Sequence, residues 1–547
     1  MRPAQALSRI SILLVLTTIV ACVAPVPPAP DLRVTSPKRG MVQASAGRIV
    51  VQGTALPGSD GARVTRVVVN KVNEATVAGD GSFSATVDIP AGAMLLETMA
   101  FTEEGGSAID ARAVQAGELR PVGSNIERAI TASLSADAFA RLSSAAGPIV
   151  KTTDLTALLA SMQPIANLGD SIANVKLSIN KLTLGDAKFK LVPVDGGLQF
   201  SAELSGLSVA ATAAYGGTLV PDGSTSVTIT ADQITIAGTL VVTPAGMAGF
   251  TTKITSPAVN TVKLQLKASG LIGSILDLLN DNLSSTVTSI TTRSTELALQ
   301  PLINVALGAL AGPQRFEVLG KKLDFQVSPS VVTFSRAGAL VTLNVQAKLE
   351  GSESSPGYVF TPNGTPSMNV GNGIQLGLAD DLINELLAEV HALGLLDLQL
   401  KQDFGIFDQV DIKLSVPPMI SANSSDGALR LVLGDMVASV SEKGKKLLSA
   451  AINAQVDLEI LRGDKAEEIA LQFGKVKLFI NVLDPTSEDP LGADDVSSAA
   501  TAGINLQLGS LSQFLITVPV PAVAGVSLDN LALRADSGYV MVSGEVH

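Results

Sequence analysis

Long segments in which apolar and polar residues alternate restrict the fold of this chain more than any other feature. Val262–Lys267 alternates without a break, Val175–Leu184 alternates with one slip, and Leu198–Leu204 and Ser226–Ile236 alternate over most of their length. Successive side chains of a strand point to opposite faces, so each segment can bury one face and expose the other. We therefore expect a strongly curved antiparallel sheet that is apolar inside and polar outside.

One segment that follows these strands changes to a helical period. Gly270–Ala311 carries apolar residues three or four positions apart, separated by Ser, Thr, Asn and Asp. Its apolar stripe consists of Ile275, Leu279, Leu283, Val287 and Ile290. Pro301 is expected to kink the helix or to restart it at Leu302–Leu310. We predict that this helix covers an open sheet as a lid; the alternative is an ordinary core helix of an α+β domain.

A second amphipathic helix is predicted within Ile374–Leu400. Its apolar stripe consists of Leu382, Leu386 and Val390. Asp380 and Asp381 suit the positive N-terminus of a helix, and Gly394 suits its C-terminal cap. The helix therefore needs a large apolar surface to cover.

Residues 31–120 have the pattern of a small all-β domain. Strand-like segments such as Arg48–Gly53 and Val64–Val69 precede a turn and an alternating strand at Asp80–Val87. This pattern resembles the immunoglobulin-like (Ig-like) modules of bacterial surface proteins. Such a module is a spacer or an adhesion unit. The chain has no Trp and only 3% aromatic residues, which argues against sugar binding and favours a spacer.

The first residues are expected to be a targeting signal. A basic stretch precedes the apolar segment Ile10–Val20, which is short for a membrane span and leads to Cys22, the only cysteine. This segment resembles the lipobox of bacterial lipoproteins, which implies cleavage of residues 1–21 and acylation of Cys22. The alternative is an ordinary secretion signal with a chance cysteine. By the same resemblance, Val23 implies sorting to the outer membrane. Residues 22–30 are Pro-rich and are expected to form a stiff tether.

Charge and residue types exclude several classes of function. The net charge of −12 offers no basic field to collect nucleic-acid phosphates. His391 and His547 are the only histidines, too few for a histidine-based metal site or a Ser-His-Asp triad. No G-x-S-x-G elbow or P-loop occurs, and the acidic segment Asp484–Asp495 lacks the spacing of a calcium loop. We therefore expect no catalysis, no cofactor and no metal.

Short motifs recur in order along the second part of the chain. They are Gln300-Pro301-Leu302 at the end of the first long helix, Leu376–Asp381 before the second helix, Pro417-Pro418 before the segment Ser424–Leu431, and Pro519–Pro521 before Gly525–Leu531. In this order they resemble the bactericidal/permeability-increasing protein (BPI) and lipid-transfer family of the tubular lipid-binding (TULIP) superfamily. The similarity covers roughly residues 165–547.

The resemblance implies a boomerang of two barrel-like domains, each with an apolar pocket for acyl chains. We accordingly expect a mainly β protein with long helices, of the α+β class. An Ig-like β-sandwich would be followed by a BPI-like domain at 124–350, a linker at 351–367 and a second BPI-like domain at 368–547.

Two departures from the family limit what the resemblance implies. A single cysteine cannot form the family's disulfide, and the negative net charge leaves no counterpart of its basic tip, so antibacterial killing is not carried over. What remains is a non-catalytic lipoprotein, anchored to the outer membrane through Cys22, that binds phospholipid or another acyl lipid and either holds or transfers it. The predicted lipid-binding residues are Ile275, Leu279, Leu283, Val287, Ile290, Leu382, Leu386 and Val390. The alternative is a structural or adhesive lipoprotein of the cell surface with no lipid cargo.

Overall fold

The computed structural model describes most of the chain after the predicted signal. The described residues are 27–152, 154–160, 163–270, 273–308, 312–371, 373–401, 407–422, 429–462, 469–483, 501, 508 and 528–546. Cys22 and the acidic segment Asp484–Asp495 lie outside them, so the predicted acylation and the predicted lack of a calcium loop stay predictions.

Two compact units make up the described chain. The smaller draws its described residues from Met1–Ser36, Val50–Thr86 and Glu97–Asp110. The larger draws them from Pro37–Ile49, Val87–Leu96 and Ala111–His547.

Strands dominate the structure. They account for 60% of the described residues, whereas helices account for 16%. The predicted α+β class with long helices is therefore wrong, and the protein is mainly β. Helices form only a small share of the structure: the segment expected to form one long helix is divided at Asn282 into helices of 9 and 26 residues, and the second predicted helix has 13 residues.

The first part of the chain consists of short strands. They are β1 Asp31–Ser36, β2 Met41–Gln43, β3 Gly47–Leu56, β4 Val64–Val69, β5 Asn73–Glu74, β6 Thr76–Val77, β7 Ser82–Ile89, β8 Gly92–Thr102, β9 Ser107–Ala116 and β10 Glu118–Arg120. Within the smaller unit, β1 is antiparallel to β3, β4 to β8, and β6 to β7. Within the larger unit, β2 is parallel to β9.

Longer strands and the first helices follow within the larger unit. They are β11 Asn125–Ser135, α1 Ala136–Thr152, α2 Leu155–Leu159, β12 Ala166–Gly169, β13 Asn174–Thr183, β14 Asp186–Val194, β15 Gly197–Gly216, β16 Gly223–Pro244, β17 Phe250–Val262, β18 Gln265–Ala268, α3 Gly273–Asp281 and α4 Leu283–Gly308.

The rest of the chain returns to strands around a single further helix within the described residues. These elements are β19 Gly312–Val318, β20 Lys321–Ser335, β21 Gly338–Leu349, β22 Tyr358–Phe360, β23 Ile374–Ala379, α5 Asp380–Ala392, β24 Leu398–Lys401, β25 Gln409–Lys413, β26 Met419–Ser421, β27 Leu429–Glu442, β28 Lys445–Arg462, β29 Ile469–Val482, β30 Leu528–Asp536 and β31 Tyr539–Val546.

Three large sheets make up most of the larger unit. The first has the order β12-β13-β15-β16-β17, with β14 on β15 and β18 on β16. A central sheet has the order β19-β20-β21-β11-β23-β31-β30, so that β11 lies between β21 and β23, two strands from much later in the sequence. The third sheet has the order β24-β25-β27-β28-β29, with β26 on β27. The segment predicted as a linker contains β22, which is antiparallel to β10.

A large apolar cluster extends through the larger unit. It includes Phe139 and Phe200 beside the first sheet, Val341 in the central sheet and Ile452 in the third sheet, each at most 1% exposed. Because this core is built mostly from Val, Leu, Ile and Ala, it rests on strand-compatible side chains and little aromatic stacking.

A buried aspartate fastens two early segments of the larger unit to the third sheet. Asp435 is fully buried at a bulge in β27, with a positive φ of 43°. Its Oδ1 accepts hydrogen bonds from Arg39 Nη1 at 2.9 Å and Asn453 Nδ2 at 3.0 Å. Its Oδ2 accepts from the backbone N–H of Gly40 at 2.8 Å and of Ala113 at 3.1 Å. The Asp435 carboxylate thus accepts four hydrogen bonds in all.

Candidate functional site

The first sheet has one apolar face built from large and small side chains. Along β15 the buried residues alternate with exposed ones, as the sequence pattern predicted. Across β15 and β16, small residues oppose large ones: Ala202 faces Ile236 and Ala211 faces Val227. The neighbouring residue Ser201 is exposed on the other face. This arrangement gives a continuous apolar surface with few bulky aromatic groups.

Helix α4 is fastened to the edge strand β17 of this sheet. The backbone N–H of Phe250 donates to Asn304 Oδ1 at 2.7 Å, and that of Ile254 donates to Glu296 Oε1 at 2.8 Å. Arg293 pairs with the other carboxylate oxygen of Glu296 at 2.9 Å. An unpaired edge strand exposes free N–H groups, and α4 satisfies two of them with its own side chains.

Helix α1 covers the opposite edge of the same sheet. There, the backbone N–H of Leu191 in β14 donates to Ser143 Oγ at 2.8 Å, and Ser143 Oγ donates to the carbonyl oxygen of Phe139 at 2.7 Å. Helices α1 and α4 also pack on each other. The two helices therefore cover the apolar face from both edges.

The predicted lipid-binding residues lie on three helices. Six of them are buried in the apolar cluster: Ile275, Leu279, Val287, Ile290, Leu382 and Val390. Leu283 and Leu386 are half-buried and pack against it. The structure thus places both stripes in one apolar cluster, and their contact with a lipid stays a prediction.

The predicted helix at 270–311 differs from the observed one in where it breaks. Helix α3 ends at Asp281, α4 starts at Leu283, and α4 then continues through Pro301. Asn282 accounts for the break, because its side-chain Nδ2 donates to the carbonyl oxygen of Leu278 at 2.8 Å. The expectation that Pro301 restarts the helix is wrong.

Helix α5 holds a row of buried acidic side chains that the sequence reasoning missed. Asp380, Asp381, Glu385 and Glu389 are each at most 1% exposed. The sequence explains the two aspartates by the helix N-terminus alone and assigns no role to the two glutamates. The available signal was the spacing of 381, 385 and 389, since residues four apart lie on one side of a helix.

The aspartates bind backbone and side-chain donors from other elements. Asp380 Oδ2 accepts from the backbone N–H of Ala422 at 3.0 Å. Asp381 Oδ1 accepts from the backbone N–H of Thr361 at 2.8 Å, and its Oδ2 accepts from Asn363 Nδ2 at 3.2 Å. The Thr361 hydroxyl lies 3.0 Å from an oxygen of each aspartate.

The glutamates are only half satisfied. Glu385 Oε1 accepts from the backbone N–H of Gly123 at 2.6 Å, and Glu389 Oε2 accepts from the backbone N–H of Leu349. The other carboxyl oxygens, Glu385 Oε2 and Glu389 Oε1, are buried and have no hydrogen-bond partner among the described residues. A buried carboxylate oxygen without a partner disfavours the ionised form of its side chain.

Burial shifts the acidity of the whole row. It raises the pKa of Asp380 to about 7 and that of Asp381 to about 6, with hydrogen bonds from the backbone opposing the shift. It raises the pKa of Glu385 to about 8, where the negative charge of Glu389 adds to the effect. The pKa of Glu389 is likewise raised by burial. Near neutral pH the row therefore carries protons that exposed carboxyls would have lost.

Other chemistry is sparse in the described part of the chain. Among those residues, no group of three or more His, Cys, Asp or Glu side chains is arranged to hold a metal ion. His391 is half-buried, with its Nε2 at 3.1 Å from the carbonyl oxygen of Leu414, so the ring has a hydrogen-bond partner. No described helix has both the length and the hydropathy needed to cross a membrane.

Comparisons with known proteins give distant structural similarities. No protein-family model matches the chain, and no curated protein matches it either. Solved structures with some similarity include a lipopolysaccharide binding protein at 14% identity and a TM-score of 0.35, over 77% of this chain and 99% of that one. P47 of Clostridium botulinum E1 has 7% identity and a TM-score of 0.25, over 78% of this chain and 100% of that one.

An adhesin, FdeC of Escherichia coli, is also similar to part of the chain. It has 10% identity and a TM-score of 0.14, over 65% of this chain and 93% of that one. All these TM-scores are too low to establish a shared fold. The proposed function therefore rests on the residues of this chain.

Proposed function

We propose that the protein binds acyl lipids, without catalysis, on the apolar face of the first sheet beneath helices α1 and α4. The observation that carries the proposal is that this face is lined by small and aliphatic side chains and is covered by helices that are fastened to its two edges. Phe250 and Ile254 bind α4 at one edge, and Leu191 binds α1 at the other.

The energetics favour a long apolar ligand at such a surface. Transfer of one methylene group from water to an apolar environment is worth about 0.8 kcal/mol, so a chain of about fourteen methylenes gains roughly 11 kcal/mol. Small residues such as Ala202 and Ala211 take up less of this face than Phe or Trp would. A polar ligand would find few hydrogen-bonding partners on this face.

The lipid content of the purified protein tests the proposal. A variant that begins after Cys22 would be purified gently and analysed by native mass spectrometry. We expect co-purifying phospholipid and uptake of a fluorescent fatty acid. A clean apo mass together with no uptake would overturn the proposal and would leave a structural or adhesive role. Hydrolysis of lipid esters should stay at background.

Two neighbouring residues of β15 provide a matched pair of variants. Ala202→Leu places a leucine on the apolar face, whereas Ser201→Leu places a leucine on the exposed face. We expect Ala202→Leu to reduce fatty-acid uptake and Ser201→Leu to leave it unchanged, with circular dichroism to verify that both variants fold. Equal uptake by both variants would contradict the assigned face.

We also propose that the protein is a lipoprotein held at the bacterial outer membrane through acylated Cys22. The support is the apolar segment Ile10–Val20 directly before the only cysteine. Metabolic labelling with an alkyne fatty acid should label the wild-type protein and not Cys22→Ala. Equal labelling of the two, or none in the wild type, would count against the anchor.

A further inference from the structure

Helix α5 connects four separate segments of the larger unit through its acidic side chains. The backbone N–H groups that they bind belong to Gly123 before β11, Leu349 at the end of β21, Thr361 after β22 and Ala422 after β26. Each carboxyl therefore fastens the helix to a different part of the chain. Loosening α5 would release all four contacts together.

The positive charges near the row do not balance it. Arg120 faces Asp381, but it also pairs with Glu118 at 3.5 Å and lies over the Phe360 ring at 3.3 Å from its centroid. Lys348 faces Glu389, but it pairs with Glu353 at 3.5 Å. Two shared cations thus face four buried carboxyls.

The remaining titratable groups around α5 do not supply a counter-charge for the glutamates. Tyr358 of β22 is buried beside Glu385, and burial raises the pKa of its hydroxyl above the ordinary range. Tyr539 of β31 is close to the aspartates, and burial likewise raises its pKa. His391 at the end of α5 is engaged by the carbonyl oxygen of Leu414.

Ionisation of both glutamates would place two negative charges one helical turn apart in the core. Residues four apart on a helix are neighbours, so the two charges would repel each other. Each would also leave one buried oxygen without a donor among the described residues. Protonation removes the repulsion and the buried charges, and the protonated carboxyls can still accept from the N–H groups of Gly123 and Leu349.

We propose that α5 is a pH-sensitive latch, closed while Glu385 and Glu389 are protonated and loosened when both ionise. The pKa of Glu385, raised by burial to about 8, keeps that side chain largely protonated at neutral pH. The latch does not require a bound lipid, and it stands or falls independently of the proposed function.

Hydrogen exchange of the α5 amides tests the latch. Protection, corrected for the intrinsic effect of pH on exchange, would be measured at about pH 6 and about pH 9, on either side of the expected ionisation. We expect wild-type protection to fall about tenfold or more, and the double variant Glu385→Gln/Glu389→Gln, which cannot ionise, to keep it. Glu127→Gln, at an exposed glutamate of β11, should behave as the wild type.

Two results would overturn the latch. One is wild-type protection that is the same at both pH values; the other is a double variant with the same pH dependence as the wild type. Should the double variant fail to fold, infrared spectroscopy of the wild type decides. A carbonyl band from a buried protonated carboxyl should be present at the lower pH and lost at the higher pH. Absence of this band at the lower pH would contradict the proposal.

Discussion

Replacement of Asn304 by Ala should loosen α4 from the edge of the first sheet. The variant removes the acceptor for the Phe250 N–H, which is bound at 2.7 Å, and Phe250 itself is fully buried. A buried N–H group left without a partner costs about 1–3 kcal/mol. The position is tightly packed, since a side chain added at Gly249 would meet Asn304 Oδ1 at 2.8 Å.

The free-energy cost of the unpartnered N–H group predicts a faster hydrogen-exchange rate for the Phe250 amide. A change of about 1.4 kcal/mol is tenfold in an equilibrium constant, so the Phe250 amide should exchange about 5- to 150-fold faster in the variant. Asn304→Asp retains an acceptor oxygen and should restore most of the protection. The Leu191 amide, bound to Ser143 Oγ at the opposite edge, serves as an internal control and should not change.

Exchange rates at Phe250 would be compared by mass spectrometry after proteolysis, or by nuclear magnetic resonance where the amide is resolved. Protection that is unchanged in Asn304→Ala would show that α4 is not fastened through Asn304. A loss of protection at Leu191 equal to that at Phe250 would point to global destabilisation instead. Either outcome would refute the view of α4 as a lid clamped at one edge.

Two further outcomes follow from buried carboxyls. Asp435→Ala removes the acceptor that Arg39 and buried N–H groups share, and it should lower the free energy of unfolding by about 3–5 kcal/mol. The control Asp457→Ala breaks a half-exposed pair with Arg430 in the same sheet and should lower that free energy by less than about 1 kcal/mol. Urea denaturation followed by circular dichroism measures both changes. The folded chain raises the pKa of Glu385 from 4.5 to about 8 and so binds its proton more tightly than the unfolded chain. The free energy of unfolding should therefore fall as the pH rises from about 4.5 to about 8, by at most about 1.4 kcal/mol per pH unit for this group. A free energy of unfolding that rises over this pH range would contradict the raised pKa of Glu385.

The strands could be predicted because their signal is local. In β15, alternate residues from Leu198 to Leu204 are buried as the sequence pattern requires. A period of two residues follows from strand geometry alone, so no knowledge of the partner strand is needed. The same pattern indicates more strand than helix, but it does not indicate how small the share of helix is.

The continuation of α4 through Pro301 could not be predicted, because distant contacts decide it. Glu296 and Asn304 lie on either side of Pro301, and both bind backbone N–H groups of β17. These contacts hold the helix together where proline removes one hydrogen bond of its own. Local propensity indicated a break that tertiary contacts prevent.

The acidic row of α5 was hidden for a similar reason. Asp381 has its main partner in Thr361, twenty residues earlier, and Glu385 has its partner in Gly123. Nothing in the sequence near the helix indicates these contacts. The charges alone suggest an exposed side, since carboxylates are rarely buried without partners.

Photo-crosslinking with a diazirine-bearing fatty acid tests the central claim most directly. The labelled protein would be digested and the modified peptides identified by mass spectrometry. Lipid binding under the helices predicts modification within Leu198–Ala213 of β15 and within Val287–Leu299 of α4, competed away by unlabelled fatty acid. Modification that is absent there, or that spreads over the exposed face and resists competition, would contradict the account.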